Sequence, residues 1–131
     1  MNVVPLRRVR VNAEGRDQLI RLKRFTGVQS WNVLCRWALM RSLAEAHPPA
    51  VPLSGGPSNV EMDWEVFAGP LGALPLLLVR AFNFRHGLPV DDETVAEQLH
   101  HHLHRGIATL AASGERILSI EDLIRPASPA P

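Results

Sequence analysis

Residues 6–12 read Leu-Arg-Arg-Val-Arg-Val-Asn. Val9 and Val11 fall on one side of an extended backbone, with Arg8 and Arg10 on the other. That is the two-residue period of a half-buried strand with a basic outer face. Asn12 can then accept from a free backbone N–H at a helix start, and Gly27 can close the helix in a left-handed conformation. The spacing predicts a first helix over residues 13–26, with Leu19, Leu22 and Phe25 on the packed side and Arg16, Lys23 and Arg24 on another.

A second helix is expected from a Ser30 cap through Trp31, Val33, Leu34, Trp37, Ala38, Met40 and Leu43. Only Asn32, Arg36, Arg41 and Ser42 interrupt its apolar surface, so it must be covered on more than one side, which in a short chain points to a second copy. A basic strand followed by two helices is the outline of a ribbon-helix-helix module. In such modules strands from two chains pair, and outward side chains, here Arg8 and Arg10, reach base edges or phosphates. An edge strand that carries positive charge to block aggregation has the same pattern. The start of the second helix, Ser30 to Val33, offers free N–H groups that suit a phosphate or simple capping.

Further along, residues 46–60 are rich in Pro, Gly and Ser and read as a loop. The segment Glu61 to Phe67 alternates weakly, as a short strand or an extended strip over the helices would. A third helix is expected over residues 72–86, with Pro75 tolerable only in its first turn and Gly87 ending it. Asp91 or Asp92 caps a fourth helix, whose buried stripe is Val95, Leu99, Leu103, Ile107 and Leu110 and whose end is Gly114. A last short helix covers Ile120 to Ile124, and residues 126–131 read as a disordered tail. The expected fold is thus mainly α: a short N-terminal strand, about four main helices, a ribbon-helix-helix-like N-terminal half, and one domain over residues 1–125. The expected core includes Leu19, Leu22, Leu34, Trp37, Ala38, Leu99, Leu103 and Ile107.

Length and composition fit this. At 131 residues with 46% hydrophobic and 21% charged residues, the chain supports one sizeable core. Its longest apolar run, Pro70 to Val79, is too short to cross a bilayer, and the Met1 region lacks the apolar stretch of a signal peptide. A single cysteine agrees with a reducing compartment, so the chain reads as cytoplasmic with no membrane association. The formal net charge of +1 is unevenly spread: residues 1–41 carry +7 and residues 42–131 carry −6. A basic front and an acidic back suit a molecule that meets a polyanion on one side and protein on the other.

Catalytic patterns are lacking. No Gly-rich phosphate loop, Ser-His-Asp order, HExxH or paired CxxC occurs, so no enzyme activity and no cofactor are expected. The run His100-His101-His102-Leu103-His104 places Glu97, His101 and His104 on one helical face, but one helix supplies every candidate ligand and no metal is expected. Cys35 lies in the most apolar helix and reads as a small buried hydrophobe. Trp31, Trp37 and Trp64 stand among apolar neighbours and read as packing residues rather than base-stacking platforms.

Leu22-Lys23-Arg24-Phe25-Thr26-Gly27 leads into Trp31-Asn32-Val33-Leu34-Cys35-Arg36-Trp37-Ala38, followed by Asp91-Asp92-Glu93-Thr94 and His102-Leu103-His104-Arg105-Gly106-Ile107. Together these stretches resemble the DndE family, the small subunit of bacterial DNA phosphorothioation (DNA sulfur modification) systems, from about Leu6 to Ile124. The resemblance implies a compact helical, non-catalytic subunit that forms tetramers and binds nicked duplex DNA through surface lysines. Its implied partners are a cysteine desulfurase, an ATP-consuming sulfur-transfer protein and a coiled-coil ATPase. Here the chain departs from the pattern, since Lys23 is its only lysine and arginine must supply the phosphate contacts. The expected function is a DNA-binding accessory subunit with Arg7, Arg8, Arg10, Arg16, Arg21, Lys23 and Arg24 as the phosphate-contacting surface, assembled as a dimer or tetramer. The alternatives are a ribbon-helix-helix transcription regulator or antitoxin, and an assembly adaptor that does not touch DNA.

Overall fold

The computed structural model describes residues 6–50 and 55–113. Its elements run β1 (Arg8–Val11), α1 (Ala13–Thr26), α2 (Trp31–Leu43), β2 (Val60–Asp63), α3 (Trp64–Ala68), a 3-10 turn (Gly69–Leu71), α4 (Leu74–Arg85) and α5 (Asp92–Ser113). The last short helix and the 126–131 tail expected from sequence lie outside the described residues.

Local chemistry sets the N-terminal elements as the sequence implied. In β1 the two valines are buried and the two arginines exposed. The Gly15 N–H donates to Asn12 Oδ1 at 2.8 Å, and Gly27 closes α1 at φ 75° with its N–H bonded to Lys23 O. Leu19 and Leu22 are fully buried, whereas Phe25 is only half-buried. Ser30 occupies the cap of α2 without a side-chain capping bond, contrary to the role its residue type suggested.

The ribbon differs from expectation. β1 pairs antiparallel with β2 of the same chain, in the register Arg8 to Asp63, Val9 to Met62, Arg10 to Glu61 and Val11 to Val60. The two-chain ribbon of a ribbon-helix-helix module is therefore corrected to an intrachain hairpin with a long connection. Val60 and Met62 alternate with Glu61 and Asp63, so β2 offers β1 a matching apolar face. Trp64 N–H donates to Arg7 O at 2.8 Å at one end of the pair, and the Ser58 hydroxyl donates to Val11 O at the other.

The remaining edge of β1 is also covered. Arg10 N–H donates to His100 Nε2 at 3.2 Å and Asn12 N–H donates to His104 Nε2 at 3.1 Å. Two residues of strand rise about 6.6 Å and one helical turn of four residues about 6 Å, so an i, i+4 histidine pair matches successive outward N–H groups of a strand. Each ring uses its other nitrogen within α5: Nδ1 of His100 meets Ala96 O at 3.1 Å and Nδ1 of His104 meets His100 O at 2.7 Å. Nε2 must accept, so both rings are neutral and carry their proton on Nδ1.

The apolar helix α2 is enclosed by α5, α3, α4 and α1 of its own chain, so its coverage does not call for a second copy. Leu34, Cys35, Ala38 and Leu39 of α2 pack with Leu99, Leu103 and Ile107 of α5, all fully buried. Trp37 packs against this core but is only partly buried. Pro75 stands in the first turn of α4, and Asp91 caps α5 by accepting from Thr94 N–H at 3.1 Å. Between them α3 is a helix that sequence periodicity did not reveal; Trp64 and Phe67 anchor it in the core. Five α-helices thus stand among the described residues, against about four main ones expected over the whole chain. No single helix among the described residues is long and apolar enough to cross a membrane.

Candidate nucleic-acid interface

The seven cations singled out by sequence fall into three settings. Arg7, Arg21 and Arg24 are exposed, and none has an ion-pair partner among the described residues. Arg16 and Lys23 are partly buried: Arg16 pairs with Asp17 at 3.2 Å, and the Lys23 ammonium lies 4.0 Å from the Trp31 ring centroid. Arg8 and Arg10 project from the outer face of the ribbon, but not alone.

The register places two carboxylates beside them. One oxygen of Glu61 bonds Arg8 Nη1, the other accepts from Arg10 Nε at 3.2 Å, and Asp63 stands 3.8 Å from Arg8 Nε. The outer face of the ribbon thus combines two guanidinium groups with two carboxylates and has no net charge. The hydrogen bond from Arg8 is the main influence holding the Glu61 carboxyl below its usual range, and the charges of Arg8 and Arg10 add to it. This neutralisation follows from the intrachain pairing with β2; a ribbon formed with a second chain's β1 would bring no such carboxylates beside Arg8 and Arg10.

Beside the ribbon lies an open cleft of about 500 Å³. Arg16 from α1, Ser30 and Asn32 at the start of α2, and Glu61 and Met62 from β2 line it. The structure therefore gathers one predicted cation and the predicted phosphate seat of α2 into one concave surface, with a carboxylate on its wall. Positive dipole, free N–H groups and Arg16 favour an anion there, while Glu61 opposes one.

The distinctive C-terminal motif serves a different purpose. Arg105 Nε donates to Ser42 Oγ at 2.8 Å, Nη2 to Ser42 O at 2.8 Å and Nη1 to His47 O at 2.6 Å. Because Ser42 Oγ accepts from arginine, its own proton goes to His102 Nδ1, 2.8 Å away. Next to this clasp Gly106 lets α5 approach the backbone of α2 at Ala38. The motif residues Ala38, His102, Arg105 and Gly106 therefore bolt α2 to α5. Across residues 8–116 the chain matches the family model described as DNA sulphur modification protein DndE. The chain belongs to the DndE family. No curated protein matches it.

In this DndE chain the remaining candidate chemistry resolves into structure. His100 and His104 cover the strand edge, His102 belongs to the clasp, and no group of three or more His, Cys, Asp or Glu that could hold a metal occurs among the described residues. His104 thus acts with His100 rather than with Glu97 and His101, the face-sharing set read from the wheel. Cys35 is fully buried, and burial pushes its thiol up to about 12 against the opposing pull of Arg36, so it is no nucleophile at neutral pH. Trp64 is a core residue whose Nε1 donates to Gly72 O at 3.1 Å. Trp31 and Trp37 are partly buried against the core. The family match covers the ribbon, the cleft and the clasp alike. Its quoted stretches identify the fold, while the cations of α1 and β1 lie outside the α2–α5 contact.

Proposed function

We propose that this DndE-family protein is a non-catalytic, DNA-binding accessory subunit of the DNA sulphur modification machinery, working in the cytoplasm beside the sulfur-transfer protein and the ATPase. The observation that carries this is the outer face of α1, where Arg21 and Arg24 stand exposed with no carboxylate paired to either among the described residues. Unpaired guanidinium groups on a convex helix suit phosphate oxygens on a duplex and carry no sequence information by themselves. Arg7 extends the same chemistry. Arg8, Arg10, the cleft residue Arg16 and Lys23 belong to it only after giving up the partners they hold in the free protein. A ribbon-helix-helix regulator is disfavoured, because the strand that would enter the major groove pairs with β2 instead.

The test compares intact, nicked and single-stranded DNA in mobility shifts over a range of salt concentrations. Arg21→Ala with Arg24→Ala should weaken binding to all sequences and lower the magnitude of the log–log salt slope by about 1 for each arginine lost. Unchanged DNA affinity, with weaker capture of the sulfur-transfer partner, would show that α1 is a protein dock and would leave the adaptor as the function.

A further inference from the structure

Among the described residues, Glu61 is the one that pairs with both ribbon arginines and also lines the cleft at the start of α2. Its two oxygens are shared between Arg8 Nη1 and Arg10 Nε, so each guanidinium has one donor occupied and part of its charge offset while the carboxylate is in place. All three side chains are exposed, with 56%, 73% and 39% of Arg8, Arg10 and Glu61 accessible. Exposed ion pairs of this kind are weak in water and exchange readily. A phosphate of high local charge density can therefore take the place of the carboxylate, whereas a dilute or isolated anion gains little by doing so.

We propose that Glu61 tunes the affinity of the DNA surface: it offsets the charge of Arg8 and Arg10 in the free protein, and duplex phosphate engages the ribbon in competition with it. This rests on the DNA-binding function proposed above and deepens it. Glu61 stays ionised at any pH near neutrality, so the mask is a constant opposing charge that sets how strongly the ribbon and cleft attract a polyanion at a distance. Asp63, at 3.8 Å from Arg8 alone, is a minor part of the same screen. The ribbon does not depend on this arrangement alone, since β2 is also held by its ladder with β1, by Val60 and Met62, and by the Arg7–Trp64 backbone bond.

The experiment is a charge-removal cycle on the full chain. Glu61→Gln keeps the shape and one acceptor; circular dichroism and urea denaturation should show the fold unchanged. Duplex affinity at low salt should rise about three- to thirtyfold, the range for releasing two exposed ion pairs. The salt slope should steepen by about 1. Glu93→Gln, an equal charge change at the start of α5, controls for net charge and should do much less. In an Arg8→Ala, Arg10→Ala background the gain from Glu61→Gln should disappear, because the residues it masks are gone. If wild-type protein binds duplex and Glu61→Gln gives no more than Glu93→Gln, or if its gain persists without the two arginines, the masking role is wrong while DNA binding stands. If the wild-type chain binds no DNA in any form, the proposed function falls and the masking role falls with it.

Discussion

A β-carbon placed on Gly106 of α5 would stand 1.7 Å from the carbonyl oxygen of Ala38 of α2. The obstacle is backbone, which no rotamer change can move aside, so the two helix axes would have to separate. Elsewhere on a helix, replacing glycine by alanine gains up to about 1 kcal/mol from backbone entropy. Here Gly106→Ala should instead destabilise by roughly 3 kcal/mol or more, at the upper end of overpacking costs. Urea denaturation measures it, and a stabilised variant would show that α2 and α5 do not cross this closely.

Arg105 reaches Ser42 Oγ, Ser42 O and His47 O with three different nitrogens. Lysine keeps the charge but lacks the planar fork that serves three acceptors at once. Arg105→Lys should cost on the order of 1–3 kcal/mol in urea denaturation, the range for leaving buried polar groups unpaired. DNA affinity at low denaturant should stay unchanged, which separates this clasp from the phosphate-binding arginines.

Acid should loosen the protein well before its carboxylates protonate. Burial holds His100, His101, His102 and His104 below the ordinary histidine value, His102 down to about 3. The unfolded chain therefore binds protons that the folded chain refuses. The full contribution is present above about pH 6.5 and is lost as pH falls; for His102 the loss continues toward pH 3 at roughly 1.4 kcal/mol per unit. For His100 and His104 a second proton would also turn Nε2 from acceptor to donor, facing the N–H groups of Arg10 and Asn12. Thermal melts should show a level Tm from pH 8 to about pH 6.5 and a steady fall from there to pH 5, and His102→Gln should flatten the fall.

Leu74, Leu77 and Phe84 line an exposed side of α4, Phe84 with 77% of its surface accessible. Spacings of three and seven residues put them in one stripe with exposed Ala81 between them. As the ribbon and α2 are satisfied within the chain, this stripe is where self-association of the kind expected from family resemblance would bury apolar area. Phe84→Glu should shift light scattering toward the 14.5 kDa of one chain without loss of helix content. An unchanged mass would place the contact elsewhere.

Much of the helical framework could be read from residues 6–113 because its signals are local. Asn12 and Gly27 bound α1, Asp91 starts α5, and Val95, Leu99 and Leu103 keep helical spacing along the buried side of α5. The fate of β1 was not local. Its partner lies some 50 residues on, in a weakly alternating stretch whose second half, Trp64 to Ala68, turns into a helix. Charge was misleading for the same reason. A strand with Arg8 and Arg10 looks cationic on its own, and only the register with Glu61 and Asp63 shows that its face is neutral. Likewise the wheel joined His101 with His104, whereas the spacing of the strand selects His100 with His104.

The hydrogen bonds from the strand backbone to His100 and His104 span 90 and 92 residues of sequence. A growing chain releases β1 some 90 residues before the imidazoles that close its edge. Contacts of such long sequence separation form late and carry a large loop-closure cost. Until α5 has been synthesised and docked on α2, the arginine-bearing strand is paired on one edge alone and keeps open N–H groups on the other. The order of synthesis therefore leaves the outer edge of the ribbon open until α5 arrives, so the arginine-bearing strand is sealed only by one of the later elements to be made.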